Sequence, residues 1–128
     1  MLGQTGEALE PSPVNGRTTR AKEPKKLDDV GEEYLADASK VHKVSHDFPY
    51  PQSAVWAALL DGDTWTKWLP ITKVEWTSAK PYQVGTTRTV WIGDQRVDEV
   101  FFAWDEGSRM AFRFDRTTLP LKAGVEDY

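Results

Sequence analysis

Hydrophobic and polar positions fall into two regimes that meet near Lys40. Before it, charged residues, Pro and Gly interrupt every apolar run, whereas all six Trp and all five Phe lie beyond it. A segment with so little apolar surface cannot offset the entropy of ordering its backbone. Residues 1–39 are therefore expected to be a disordered N-terminal tail and linker, in which Asp28–Ala38 forms a weak helix or none. Residues 40–128 are expected to hold one domain.

From Lys40 the pattern becomes regular. VHKVSHDF alternates Val41, Lys43 and Ser45 against His42, Val44 and His46, the period of a short strand. FPYPQSAVWAALLDG reads as a turn and then a helix. Pro51 suits the first turn, Ala54–Leu60 favours helix, Gly62 supplies a left-handed stop, and Val55, Trp56 and Leu59 form the apolar face. In DGDTWTKWLP, Asp63 is the expected N-cap of a second, very short helix. Trp65 and Trp68, three positions apart, then project from one side as packing anchors rather than as a ligand platform.

After Pro70 the period changes to two. Thr72, Val74 and Trp76 alternate with Ile71, Lys73 and Glu75, and a loop at Pro81 and Gly85 leads into a strand over Thr86–Ile92. Gly93-Asp94 and Asp105-Glu106-Gly107-Ser108 mark hairpin turns around Arg96–Trp104 and before Met110–Asp115. Met110, Phe112 and Phe114 are expected inward. Both faces of Arg96–Trp104 are apolar and its two turns place opposite sets inward; the reading adopted puts Val100, Phe102 and Trp104 inside. The order of strand, helix, very short helix and antiparallel meander makes an α+β fold.

Composition narrows the chemistry. A chain of 128 residues suits one core. A formal charge of −4 and a pI near 5.2 argue against nucleic acid, whose binding rests on clustered Lys and Arg. The absence of cysteine rules out disulfides and thiolate metal sites and suits a cytoplasmic location. No stretch approaches the roughly 20 apolar residues of a transmembrane segment, and no signal peptide is visible. His42 and His46 share a strand face but stand about 13 Å apart, too far for one metal ion. Asp98 and Glu99 are adjacent on a strand, so their carboxylates face opposite ways and make no working acid/base pair. No catalytic residues, metal ligands or cofactor motif are assigned.

The runs PQSAVWAALLD, WTKWLP, VEW, GTTRTV and AWDEGSRMAF together resemble the START-like, or SRPBCC, superfamily, in its polyketide cyclase/dehydrase and lipid-transport branch. The resemblance covers about residues 40–128. It implies a helix-grip fold, a curved antiparallel sheet around a long C-terminal helix with a hydrophobic cavity between them. The family pattern continues past KAGVEDY, so Tyr128 is expected to fall inside the penultimate strand, with the last strand and long helix missing and self-association possible through an exposed apolar face.

The implied function is binding, and possible transport, of a hydrophobic or amphipathic small molecule such as a lipid, polyketide or aromatic metabolite. The expected ligand-binding residues are Val74, Trp76, Arg88, Val90, Val100, Phe102, Met110, Phe112 and Phe114. Arg88 stands where the family usually has an inward apolar or aromatic residue. An outward Arg on a twisted edge is the favoured reading; an inward one would pair with a ligand carboxylate or with Asp98. Two other readings stay open. One is a cyclase or dehydratase in which Arg88 or Tyr82 polarises a carbonyl, and the other is a chaperone-activator-like protein-interaction module.

Overall fold

The computed structural model describes residues 2–11, 23–68 and 70–128, with residues 2–11 and Trp68 described by backbone alone. The alternation after Pro70 becomes an antiparallel meander: β4 (Lys73–Trp76), β5 (Thr87–Ile92), β6 (Gln95–Asp105), β7 (Arg109–Thr117) and β8 (Leu121–Asp127), each paired with the next. The hairpin turns at Gly93 and Gly107 have φ of 64° and 83°, values that a side chain disfavours.

β6 explains why its two faces read alike. Its register against β7 shifts between Phe101 and Ala103, a bulge that reverses the alternation partway along the strand. Val97, Glu99 and Phe101 face the main core before the bulge, and Trp104 packs against the same core after it. The expected inward positions of Val100 and Phe102 are therefore corrected. Phe102 packs on the opposite face of the sheet, beside Tyr34, Ala123 and Val125.

Two helices cover the inner face. α2 (Gln52–Leu60) follows Pro51 as predicted and buries Trp56 and Leu59. It ends at Asp61 in an extended conformation, and Gly62, expected as a left-handed stop, instead opens α3 (Gly62–Trp68). A Cβ at Gly62 would lie 3.2 Å from the Val74 Cβ, so close approach to β4 is what calls for glycine there. The cap also sits earlier than expected, because Asp61 Oδ1 accepts the Asp63 N–H at 3.0 Å. Trp65 is buried, donates its indole N–H to the Leu59 carbonyl at 2.8 Å and meets the Tyr128 ring edge-on, tying both helices to the sheet. The side chain of Trp68 lies outside the described residues.

The N-terminal third departs from the expected tail. β1 (Leu2–Pro11) pairs with both β3 (Lys40–His46) and β8, β2 (Lys25–Lys26) pairs with the end of β7, and α1 (Tyr34–Asp37) follows. The sheet order is β3-β1-β8-β7-β6-β5-β4. Backbone ladders need no apolar side chains, which is why a composition argument misses such a strand. Leu27 and Tyr34, two of the few apolar residues before Lys40, are buried. Residues 12–22 lie outside the described residues. The result is an α+β, curved antiparallel sheet of the helix-grip kind.

Candidate functional site

Arg88 on β5 and Glu99 on β6 are directly opposite in register, and both point to the inner face. The side chains are 1% and 5% exposed. The favoured outward reading of Arg88 is thus overturned, and so is its pairing with Asp98. Asp98 faces the other way and holds Thr89 Oγ1 at 2.8 Å and Arg96 Nε and Nη2 at 2.9 Å each. Glu99 takes Arg88 instead, with Nε and Nη2 both 2.7 Å from Oε1.

Around the guanidinium stand four rings. Its central carbon lies 4.8 Å from the Phe112 centroid, 5.1 Å from those of Trp65 and Trp76, and 5.2 Å from that of Phe101. Such ring faces attract a cation and offset part of its desolvation. Arg88 Nη1 is buried and has no hydrogen-bond partner among the described residues. Burial pushes the Glu99 carboxyl up to about 7, against the opposing charge and hydrogen bond of Arg88. The Tyr128 hydroxyl is also held above its ordinary range, by burial first and then by the charges of Glu126 and Glu99.

One aromatic layer separates this pair from a surface cleft. Trp76 stacks near Phe101 at 5.6 Å on one side and on Tyr82 at 4.1 Å on the other. Trp104 meets Phe101 and Trp56 edge-on, at 5.3 and 5.4 Å. The cleft, of about 620 Å³, is lined by Leu60, Lys80, Pro81, Tyr82, Trp104 and Glu106. Its carboxylate is engaged, since Glu106 Oε2 accepts the Trp104 indole N–H at 2.7 Å. Its cation, Lys80, has Nζ 5.8 Å from the Tyr82 centroid.

The nine expected ligand residues divide accordingly. Met110, Phe112 and Phe114 are buried in the inner core, Val74 and Trp76 pack against it half-buried, and Val90 is buried on β5 two positions from Arg88. Val100 is half-buried on the face away from Glu99, and Phe102 lies beyond the sheet from Arg88. None of the nine lines the cleft. Trp104 was legible as an inward residue and Tyr82 as a polar candidate. Nothing in the alternation points to Leu60, Lys80, Pro81 or Glu106, which come from a helix end and two connections. Among the described residues no group of three His, Asp or Glu side chains is placed to hold a metal ion.

The family model for polyketide cyclase / dehydrase and lipid transport matches residues 41–128. The chain is also 36% identical, over 102 residues, to uncharacterized proteins of Mycobacterium bovis and of two Mycobacterium tuberculosis strains. The match takes in 77% of this chain and 61% of each relative, so the chain spans about three fifths of the relatives' length. No solved structure matches. With this match over most of the chain and the α+β sheet to go with it, the protein belongs to the polyketide cyclase/dehydrase and lipid transport family of START-like folds.

Proposed function

We propose that the chain binds a hydrophobic or amphipathic small molecule in the cleft beside Tyr82 and Trp104. The carrying observation is that these two rings form a floor that is already backed, Tyr82 by Trp76 and Trp104 by Phe101. A ligand laid on a supported aromatic surface buries apolar area at about 25 cal/mol per Å² without first having to order the rings. The Lys80 ammonium and the Glu106 carboxylate at the lining give orientation, as the few polar groups of apolar sites commonly do. No described helix is long and apolar enough to cross a membrane; we place the binding in the cytoplasm on the cysteine-free composition.

The test is calorimetric titration with dodecanol, a neutral amphiphile. Saturable binding that weakens about tenfold or more in Trp104→Ala, in a variant that still melts cooperatively above the titration temperature, supports the cleft. Absence of saturable binding, or equal affinity in the variant, removes it.

A further inference from the structure

The cage around Arg88 holds more cation than its partner answers. Glu99 engages Nε and Nη2 through a single oxygen, and Nη1 is left without a hydrogen-bond partner among the described residues, inside a shell of rings that offers no acceptor oxygen. A buried charged donor without a partner is costly, and where one persists an acceptor supplied from outside is a direct explanation. The route to it is short. Trp76 contacts the guanidinium on one side and Tyr82 on the other, and Tyr82 lines the cleft. Tyr82 is carried by the connection between β4 and β5 and not by a strand, so its displacement breaks no ladder.

We propose that the anionic head of an amphiphile passes the Tyr82–Trp76 layer to be received at Arg88 Nη1, beside Glu99, and that its arrival is coupled to uptake of a proton by the Glu99 carboxyl. The inference rests on the cleft reading and adds the head-group class and its proton linkage. The physical reason is that two carboxylate-like anions on one buried guanidinium cannot both stay ionised without a large repulsive cost. The proton comes from solvent and goes to a carboxylate oxygen, and no bond in the ligand is broken. Glu99 is the group placed to take it. A guanidinium has no acceptor site for a further proton, Asp98 points to the opposite face into Arg96 and Thr89, and Tyr128, whose hydroxyl bonds the Glu126 carboxylate at 3.2 Å, is held in its protonated form. α3 and β7 present the rings of Trp65 and Phe112. Burial, which already raises the Glu99 carboxyl, works in the same direction.

The experiment uses dodecanesulfonate, whose own head does not titrate, beside dodecanol. Calorimetry in two buffers of different ionisation enthalpy counts the protons taken up. The expected result is proton uptake with the sulfonate, none with the alcohol, and a sulfonate affinity that rises up to about tenfold for each unit by which pH falls above the Glu99 range. Glu99→Gln should abolish both the uptake and the pH slope. If that variant does not fold, Arg88→Met/Glu99→Met should retain a cooperative melt and lose sulfonate affinity. Sulfonate binding without proton uptake would place the head at the rim on Lys80 and overturn the proposal while leaving the cleft reading intact. The proposal falls in the same way if only the alcohol binds, or if Glu99→Gln still takes up the proton. If neither compound binds, both readings fall.

Discussion

Arg88 and Glu99 face each other across β5 and β6, with two guanidinium nitrogens 2.7 Å from one carboxylate oxygen in a shell of aromatic rings. A pair so deeply buried is costly to break and less costly to replace. Removing one partner leaves the other charge uncompensated, at about 3–5 kcal/mol, while apolar residues of similar volume avoid desolvation altogether. Arg88→Met should therefore be strongly destabilising, and Arg88→Met/Glu99→Leu should recover most of the loss. Urea melts over the double-mutant cycle measure the coupling. Additive losses would mean that the two side chains are held by the rings and not by each other.

The pH dependence of stability carries the signature of the same carboxyl. Its ordinary value of 4.5 is lifted to about 7 by burial. Between these values the unfolded chain has lost the proton and the folded chain still holds it, so unfolding releases a proton and stability falls as pH rises. The contribution is whole below about 4.5 and lost by about 7. The advantage of the native protein over Glu99→Gln should shrink across that window and stay level above it, read from melts at a series of pH values. A widening advantage would show that the attraction of Arg88 outweighs burial.

Trp65 is expected to be a structural anchor. It is buried, its indole N–H meets the Leu59 carbonyl, and its ring meets Tyr128. Trp65→Ala should cost about 3–5 kcal/mol through lost burial and the cavity left behind. Trp65→Phe keeps most of the ring but leaves that carbonyl without its indole donor, for about 1–3 kcal/mol. Chemical denaturation separates the two. A Trp65→Ala protein that melts like the native one would show that the helix pair does not depend on this contact.

These outcomes mirror what the sequence makes visible. Met110, Phe112 and Phe114 alternate cleanly because the register shift in β7 comes only after them, at Asp115, and one face of the strand is packed with rings, so period alone assigns their side. Pro51 marks the start of α2 because its fixed φ suits a helix entry. β1 escapes notice because its place depends on ladder partners from β3 and β8, distant in sequence. Arg88 reads as an outward residue until Glu99 is known to stand opposite, since only a cross-strand partner makes a buried guanidinium tolerable. The cleft is least legible of all, because apart from Trp104 on β6 it is assembled from a helix end and two connections that share no period.

The bulge in β6 gives the most local test. Phe101 is fully buried in the inner core, stacked on Trp76, tilted against Phe112 and met edge-on by Trp104, whereas Phe102 is half-buried beside the smaller cluster of Tyr34, Ala123 and Val125. Simple alternation counted back from Trp104 would exchange their roles, and the register shift between Phe101 and Ala103 prevents it. Phe101→Ala should then cost about 3–5 kcal/mol, the range for emptying a packed aromatic position. Phe102→Ala, already partly in water, should cost about 1–2 kcal/mol, because less area leaves contact and solvent fills the gap. Equilibrium denaturation of the two variants side by side reads the difference. Equal losses, or a larger loss at Phe102, would place the phase change elsewhere in the strand and return Phe102 to the inner face.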